Sequence, residues 1–479
     1  MTDYNQHAQA SRPRIAIAGA SGFIGSALCR ALVDTFHVFA LTRPASIAQT
    51  PGGDPRLTRR ECDMFSVGAA RAALKGIDYA IYLIHSLVPA SRLTQAKPAD
   101  MDLVLADNFA QAAAEGGVKQ IIVIGGLIPE GFHISRLLWS RREVEMVLAS
   151  RGTPVTALRA ALVVGQGSAS AGMLIDLVRR LPIIPLPRAA RSVTRPISLE
   201  DLIRAIRYCA AQPARYRGHF DIGGADCLSY QSMLQETATL LGKRRWIFTT
   251  RFLPLGLASL TAPIVCRAPR ALVGPVIESL PQDTILHDNP LQQRVAPEAL
   301  SFPEALASLI AQPRPRATPF ADFLARRPEY HAIRRARLVR SIQRIILPPG
   351  QDAAWVSGNY FRWLERALWP FVISTHEPDG SWTLSLRALR VKLLSLRKMT
   401  HESSAQRQVY RIAGGVLSRS DGPECARFEF QTVLEDRYTM AAIHDYAPAL
   451  PWYIYRWTQA PVHRWIMHRY QRHLARLAR

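Results

Sequence analysis

Lysine, paired cysteines and long apolar runs are what this chain has little of. Only six of its 60 basic residues are lysine. Arginine supplies the rest, and the formal net charge is +23, a field that attracts nucleotides, anionic lipids or nucleic acid. No recognised nucleic-acid motif accompanies the charge, so nucleic acid is not an expected partner. The six cysteines (Cys29, Cys62, Cys209, Cys227, Cys266 and Cys425) form no CxxC pair and no metal-type spacing. No metal is expected, and scattered thiols fit a reducing compartment. No run of 18 or more apolar residues occurs, and Phe252 to Val265 is too short to span a bilayer. Met1 to Arg14 is polar and lacks the apolar core of a signal peptide. The expected location is the cytoplasm, with the inner face of the membrane as a peripheral alternative. No internal repeat or low-complexity tract is visible.

What is present begins at Ile15-Ala-Ile-Ala-Gly19-Ala-Ser-Gly22-Phe-Ile-Gly25. A β-branched and alanine run leads into three glycines spaced three apart, and Ser26 to Val33 reads as a helix. A strand, a tight turn and a helix start present backbone N–H groups to a dinucleotide pyrophosphate. Gly19 allows the sharp turn, Gly22 lets the backbone approach the phosphates, and Gly25 lets the helix pack on the strand. Ser21, Phe23 and Ile24 complete the turn.

At 479 residues the chain should hold two or three domains. His37–Leu41, Tyr79–Ile84, Gln120–Ile124 and Val155–Leu158 read as strands, with helices such as Met101–Glu115 between them. Strands alternating with helices predict an α/β fold, a doubly wound parallel-sheet Rossmann domain. We expect this domain over residues 1–312, with a core at about 12–225 and a helical cap at about 226–312. Pro313, Pro315 and Pro319 mark a linker, and Arg334 to Ile346 reads as a basic helix, so 313–346 is expected to connect two domains. Seven of the nine tryptophans fall beyond it. Ser381–Leu386 and Arg427–Val433 alternate with strand period, and Trp452 to Leu477 reads as a closing helix. Residues 347–479 are therefore expected to form a smaller α+β domain.

The pieces Gly19–Gly25, Ala40-Leu-Thr-Arg43, Glu61-Cys-Asp63-Met64, Tyr82-Leu-Ile-His-Ser86, Gly116–Ile121, Leu158-Arg159 and Arg195–Asp201 occur in order. Together they resemble the short-chain dehydrogenase/reductase superfamily, in particular its atypical, NmrA-like, NAD(P)-binding branch, which includes the reductase-like subunit of respiratory complex I. Where NAD-preferring sites carry an acid after the second strand, this chain has Arg43. A guanidinium there suits a 2′-phosphate, so NADP(H) is favoured over NAD. The resemblance implies that Asp63, with Met64, meets the adenine, and that His85 and Ser86 line the inner half of the cofactor.

Active members of that superfamily use a tyrosine four residues before a lysine, and a serine at the end of the fifth strand. Aligning Ser140–Glu145 on the family's helix puts Leu137 and Arg141 in the tyrosine and lysine places, and the strand ends Ile124-Gly125-Gly126-Leu127. Leucine donates no proton and arginine does not titrate usefully. Asn108 and His133 are the replacement candidates. The carboxy-terminal pattern resembles helix-grip folds that enclose apolar ligands, where Trp452, Tyr455 and Trp465 would either wall a cavity or pack as core. Its closing segment, with Arg456, Arg464, Arg469, Arg472 and Arg476, also suits an anionic membrane surface. His463, His468 and His473 are five apart and read as solvated rather than metal-binding. Two functions remain open. One is an NADP(H)-dependent reductase of an apolar carbonyl or quinone compound; the other is a non-catalytic nucleotide-binding scaffold, sensor or assembly subunit. The oligomeric state is not legible.

Overall fold

The structure, a computed structural model, describes residues 12–43, 46, 53–86, 94–129, 134–266, 270–311, 338–419 and 426–478. It divides into two compact units, Met1–Leu87 with Asn108–Arg327 and Val88–Asp107 with Pro328–Arg479.

The chain opens with β1 (Arg14–Ala18), α1 (Phe23–Ala31), β2 (His37–Thr42), β3 (Leu57–Glu61), α2 (Val67–Leu74) and β4 (Tyr79–Tyr82). β5 (Thr94–Gln95), α3 (Pro98–Glu115), β6 (Gln120–Gly126), α4 (Arg136–Ala149) and β7 (Val155–Ala160) follow. Next come β8 (Val163–Val164), α5 (Ala169–Arg180), β9 (Ile183–Pro187), β10 (Val193–Thr194), β11 (Ile197–Ser198), α6 (Leu199–Cys209) and β12 (Gly218–Ile222). The cap holds β13 (Leu228–Ser229), α7 (Tyr230–Leu240), β14 (Trp246–Thr250), α8 (Leu255–Val265), α9 (Arg270–Ser279), α10 (Pro290–Val295) and α11 (Phe302–Ala311).

Seven strands make one sheet in the order β12-β7-β6-β4-β1-β2-β3. Every pairing in it is parallel. Ile15, Ala16, Ile17 and Ala18 are all fully buried, as a parallel strand covered on both faces requires. Serines start the helices: the side chains of Ser66, Ser135, Ser168, Ser198 and Ser229 accept N–H groups of α2, α4, α5, α6 and α7. Cys29 is buried in this core, and burial pushes its thiol up to about 12. The five described cysteines are free thiols.

The second unit continues with β15 (Val339–Ile346), α12 (Ala353–Ala367), β16 (Val372–His376), β17 (Trp382–Leu386), β18 (Val391–Lys398) and β19 (Arg407–Gly414). It ends with β20 (Arg427–Val433), β21 (Tyr438–Tyr446), α13 (Trp452–Trp457) and α14 (Gln459–Leu477). An eight-stranded sheet runs β16-β17-β18-β19-β20-β21-β15-β5. It is antiparallel except where β5 pairs with β15. Tyr360, Phe361 and Leu364 of α12 pack with Phe428, Phe430 and Tyr470 in its core.

Two expectations are corrected here. The basic helix expected to Ile346 is a strand over 339–346, and residues 313–337 lie outside the described ones. Its arginines do not face water along a helix: Arg344 Nε bonds Asp100 Oδ1 at 2.8 Å and Arg340 Nη2 bonds Asp445 Oδ1 at 2.9 Å. With Val339, Ile342, Ile345 and Ile346 between them, the β-branched residues decide for a strand. The histidines of α14 are not uniformly solvated. His463 Nε2 hydrogen-bonds Ser341 Oγ at 3.1 Å and His473 stacks on Trp363, while His468 is exposed. Of the aromatics with a cavity wall and core packing both open to them, one packs as core. Tyr455 is buried against Val339 and Ala460, Trp465 is exposed, and the Trp452 side chain lies outside the described residues.

A charged group sits inside this sheet. Glu429 accepts from Arg407 Nη2 at 2.6 Å and from Arg427, all three being buried or nearly so. Burial by itself would raise the Glu429 carboxyl, but the two guanidiniums outweigh it and hold it at about 2, below its ordinary 4.5. The sign is that of a depressed acid: stabilisation is complete above about pH 4.5 and is lost as pH falls towards 2. Glu429→Gln should cost about 3–5 kcal/mol, since it strands two buried cations. Chemical denaturation at a series of pH values should show a flatter acid limb for this variant than for the parent chain.

Candidate functional site

The sharp turn after β1 depends on glycine. Gly19 sits at φ +89°, where L side chains are strained. Gly22 donates its N–H to the Gly19 carbonyl at 3.0 Å and precedes α1 as its N-cap. A Cβ on Gly25 would run into the Gly19 carbonyl and stand 2.9 Å from Ala20 Cα, both backbone atoms. Only hydrogen fits, so α1 lies directly against β1 and aims its first turn over the carboxyl end of the sheet. No side chain caps α1, so its first N–H groups remain for another acceptor.

A cavity of about 410 Å³ opens above this turn. One wall consists of Gly19, Gly22, Phe23, Ile24, Gly25, Leu83 and His85. A second holds Gly125, Gly126, Leu127, Leu137, Leu138 and Arg141. The cap and the segment before it add Met173, Thr194, Tyr230, Val276, Ser279, Gln282 and Thr284. Among the described residues no carboxylate lines the cavity. The Thr284 hydroxyl donates to Thr194 Oγ1 at 2.7 Å, which fixes part of the polar rim. Burial raises the Tyr230 phenol above its ordinary value of 10, so it keeps its proton at neutral pH.

Of the residues expected from sequence, Gly19, Gly22, Phe23, Ile24, Gly25 and His85 meet at this cavity. Ser21 lies in the turn. Arg43 follows β2 and is exposed, Asp63 and Met64 follow β3, and Ser86 follows β4. All four stand at carboxyl ends of parallel strands, the side on which ligands of such sheets bind. The Asp63 carboxylate accepts the Phe65 N–H at 3.1 Å, and Met64 is buried.

Of the two catalytic candidates, the structure describes one. Asn108 is fully buried, and its Nδ2 donates to the carbonyls of Met64 at 3.0 Å and Phe65 at 3.1 Å. It ties down the loop carrying Asp63 and Met64, and is a positioning residue. His133 lies outside the described residues. Leu137 and Arg141, which the resemblance put in the tyrosine and lysine places, both line the cavity from α4. A side chain at either glycine ending β6 would collide with α4. At Gly126 a Cβ would lie 2.5 Å from Leu138 Cδ2, and at Gly125 it would strike the Glu145 carboxylate. Glu145 is itself fixed by Arg159, with Nη2 to Oε2 at 2.8 Å.

Sequence reasoning missed Tyr230, Thr194, Gln282 and Thr284. Their segments lie far apart in the chain, and only one local signal was available: Ser229-Tyr230 at the start of a helix.

The glycine cradle that a Cβ would fill, the uncapped α1 terminus and the loops after β2, β3 and β4 fit a dinucleotide. Comparison with known proteins agrees. Residues 19–162 match the family model described as NAD(P)H-binding, and the first unit carries a Rossmann-type NAD(P)H-binding domain. The auxiliary protein GraX of Staphylococcus aureus is 32% identical over 126 residues, 26% of this chain and 40% of that protein. The match thus spans two fifths of the curated relative's length. A nucleoside-diphosphate-sugar epimerase from Staphylococcus aureus superposes with a TM-score of 0.50 at 15% identity, over 62% of this chain and 99% of that one. The NADPH-dependent quinone oxidoreductase QOR2 of Escherichia coli, solved with NADPH, gives 0.49 at 19% identity over 62% and 99%. At such identities the likeness to these structures is one of fold.

Replacing Asn108 by Ala should leave two buried carbonyls without that donor and lower stability by about 2 kcal/mol. Reduced-dinucleotide affinity should fall several-fold with it, because the loop after β3 loosens. Denaturant melts and a fluorescence titration of the same sample check both effects.

Proposed function

We propose that the first unit binds NADP(H) and acts as an atypical reductase on a neutral, largely apolar carbonyl or quinone compound. The observation that carries this reading is the cavity itself. It joins a pyrophosphate cradle to a pocket of leucine, methionine and valine with a few hydroxyl and amide groups, His85 and Arg141, and no acid among the described residues. Such a lining favours an uncharged body carrying one or two oxygens over a cationic or sugar-like ligand.

Gly19, Gly22 and Gly25 hold the pyrophosphate, Asp63 and Met64 meet the adenine, and Arg43 takes the 2′-phosphate. When bound, the reduced dinucleotide supplies a hydride. Tyr230 donates its phenolic proton to the ligand oxygen that gains charge and recovers one from solvent. Its buried phenol is protonated at neutral pH, as this role demands. Leu137, Leu138 and Val276 keep water from the reacting face.

The empty tyrosine and lysine places support a second reading, in which the nucleotide serves a scaffold, sensor or assembly role without turnover. The two separate cleanly. NADPH should bind about tenfold or more tightly than NADH, as a charge-assisted hydrogen bond worth about 1.5–3 kcal/mol implies. Arg43→Ala should erase that preference, and Gly22→Asp should abolish binding of both. With a panel of apolar quinones and carbonyls, Tyr230→Phe should bind NADPH within about twofold of the parent, yet oxidise it about 10²–10⁴-fold more slowly. Tight binding without oxidation of NADPH across the panel selects the scaffold. Absence of binding removes both readings.

A further inference from the structure

Between residues 237 and 277 the chain contains no aspartate or glutamate, but six basic residues: Lys243, Arg244, Arg245, Arg251, Arg267 and Arg270. This stretch builds β14 and α8. The eleven residues of α8 include no charged side chain. Ala258 turns inward to pack with Val273, Ile277 and Leu280. Leu257, Leu260 and Ile264, spaced so as to share one face, point outward, and Ile264 is 77% exposed. Just before them Phe252 is 79% exposed and Trp246 68%. A helix facing water normally carries charge on that side; this one presents leucine and isoleucine beside two aromatics.

Cations precede this apolar face along the chain. Lys243, Arg244 and Arg245 line a groove at the carboxyl end of α7, one residue before Trp246. The Arg251 guanidinium lies 5.1 Å from the centre of the Phe252 ring. Basic heads flanking exposed aromatic and aliphatic side chains, with no acid among them, match a surface of anionic headgroups over acyl chains. Eleven helical residues extend about 16 Å, far short of a bilayer's apolar thickness but ample to lie within its boundary.

We propose that this face docks on an anionic lipid surface. In this arrangement α8 lies at the boundary between headgroups and acyl chains, with Trp246 and Phe252 inserted. Lys243, Arg244 and Arg251 engage the phosphates. The site is distinct from the arginine-rich α14, and it does not depend on turnover in the cavity.

Flotation of the full chain with vesicles tests it. Binding to phosphatidylcholine vesicles containing a quarter phosphatidylglycerol is expected, with little on phosphatidylcholine alone and a several-fold loss in high salt. The exposed triple variant Leu257→Glu, Leu260→Glu, Ile264→Glu should weaken binding at least tenfold at an unchanged melting temperature. Lys243→Glu with Arg244→Glu provides a second route to the same loss, away from the helix. Anionic vesicle binding that survives both variants would assign it to another region such as α14 and overturn the proposal. So would absence of binding by the parent chain, or an oligomer that dissociates in the triple variant without any lipid binding, which would make the face a contact between copies.

Discussion

The first unit depends on one contact, the van der Waals approach of α1 to the end of β1. Gly25 lies against the Gly19 carbonyl and Ala20 Cα with no room for a methyl group. That closeness sets the height and tilt of α1 above the sheet, and so where its first N–H groups point. Other helices of this unit begin on a serine whose hydroxyl accepts an N–H: Ser66, Ser135, Ser168, Ser198 and Ser229. α1 begins on Gly22, which has no side chain to offer. The missing cap and the missing Cβ serve the same end, since a ligand phosphate can occupy the acceptor position that a serine takes elsewhere.

Much of this was legible because it is local. The period-two and period-3.6 patterns and the glycine spacing each involve residues within one or two turns of one another. The parallel seven-stranded sheet followed from their alternation. Errors came where distant residues decide. Residues 339–346 look like a basic helix until Asp100 and Asp445, from separate parts of the chain, are seen to neutralise Arg344 and Arg340. Thr94 and Gln95 form a two-residue strand beside β15 that no window around them could announce. His463 seemed one more surface histidine because Ser341, its partner, is 122 residues away.

The cavity shows the same division. Its floor was readable from the glycine turn, whereas its roof is assembled from Thr194, Tyr230, Val276, Gln282 and Thr284. None of these belongs to a motif. Asn108 illustrates a subtler limit: the sequence placed it on the right helix, but its role turns on the direction of its amide. That amide points at the carbonyls of Met64 and Phe65, which makes it a fixture of the loop after β3 rather than a donor to a substrate.

The departure from the tyrosine–lysine pattern is a change of packing as much as of chemistry. Gly125 and Gly126 leave the end of β6 bare, and α4 fills that space with Leu138 and the Glu145–Arg159 pair. Burial raises the Glu145 carboxyl while Arg159 opposes the rise, so displacing the pair would leave a poorly solvated acid beside the cavity. A serine at the strand end would have to turn aside the Leu138 tip or the Glu145 carboxylate, both carried by the helix from which Leu137 and Arg141 face the cavity. The side of the cavity that keeps a protonated hydroxyl within reach of a ligand is the cap, at Tyr230. On the reductase reading, acid chemistry therefore belongs to the segment that also shapes ligand specificity rather than to the sheet that holds the nucleotide.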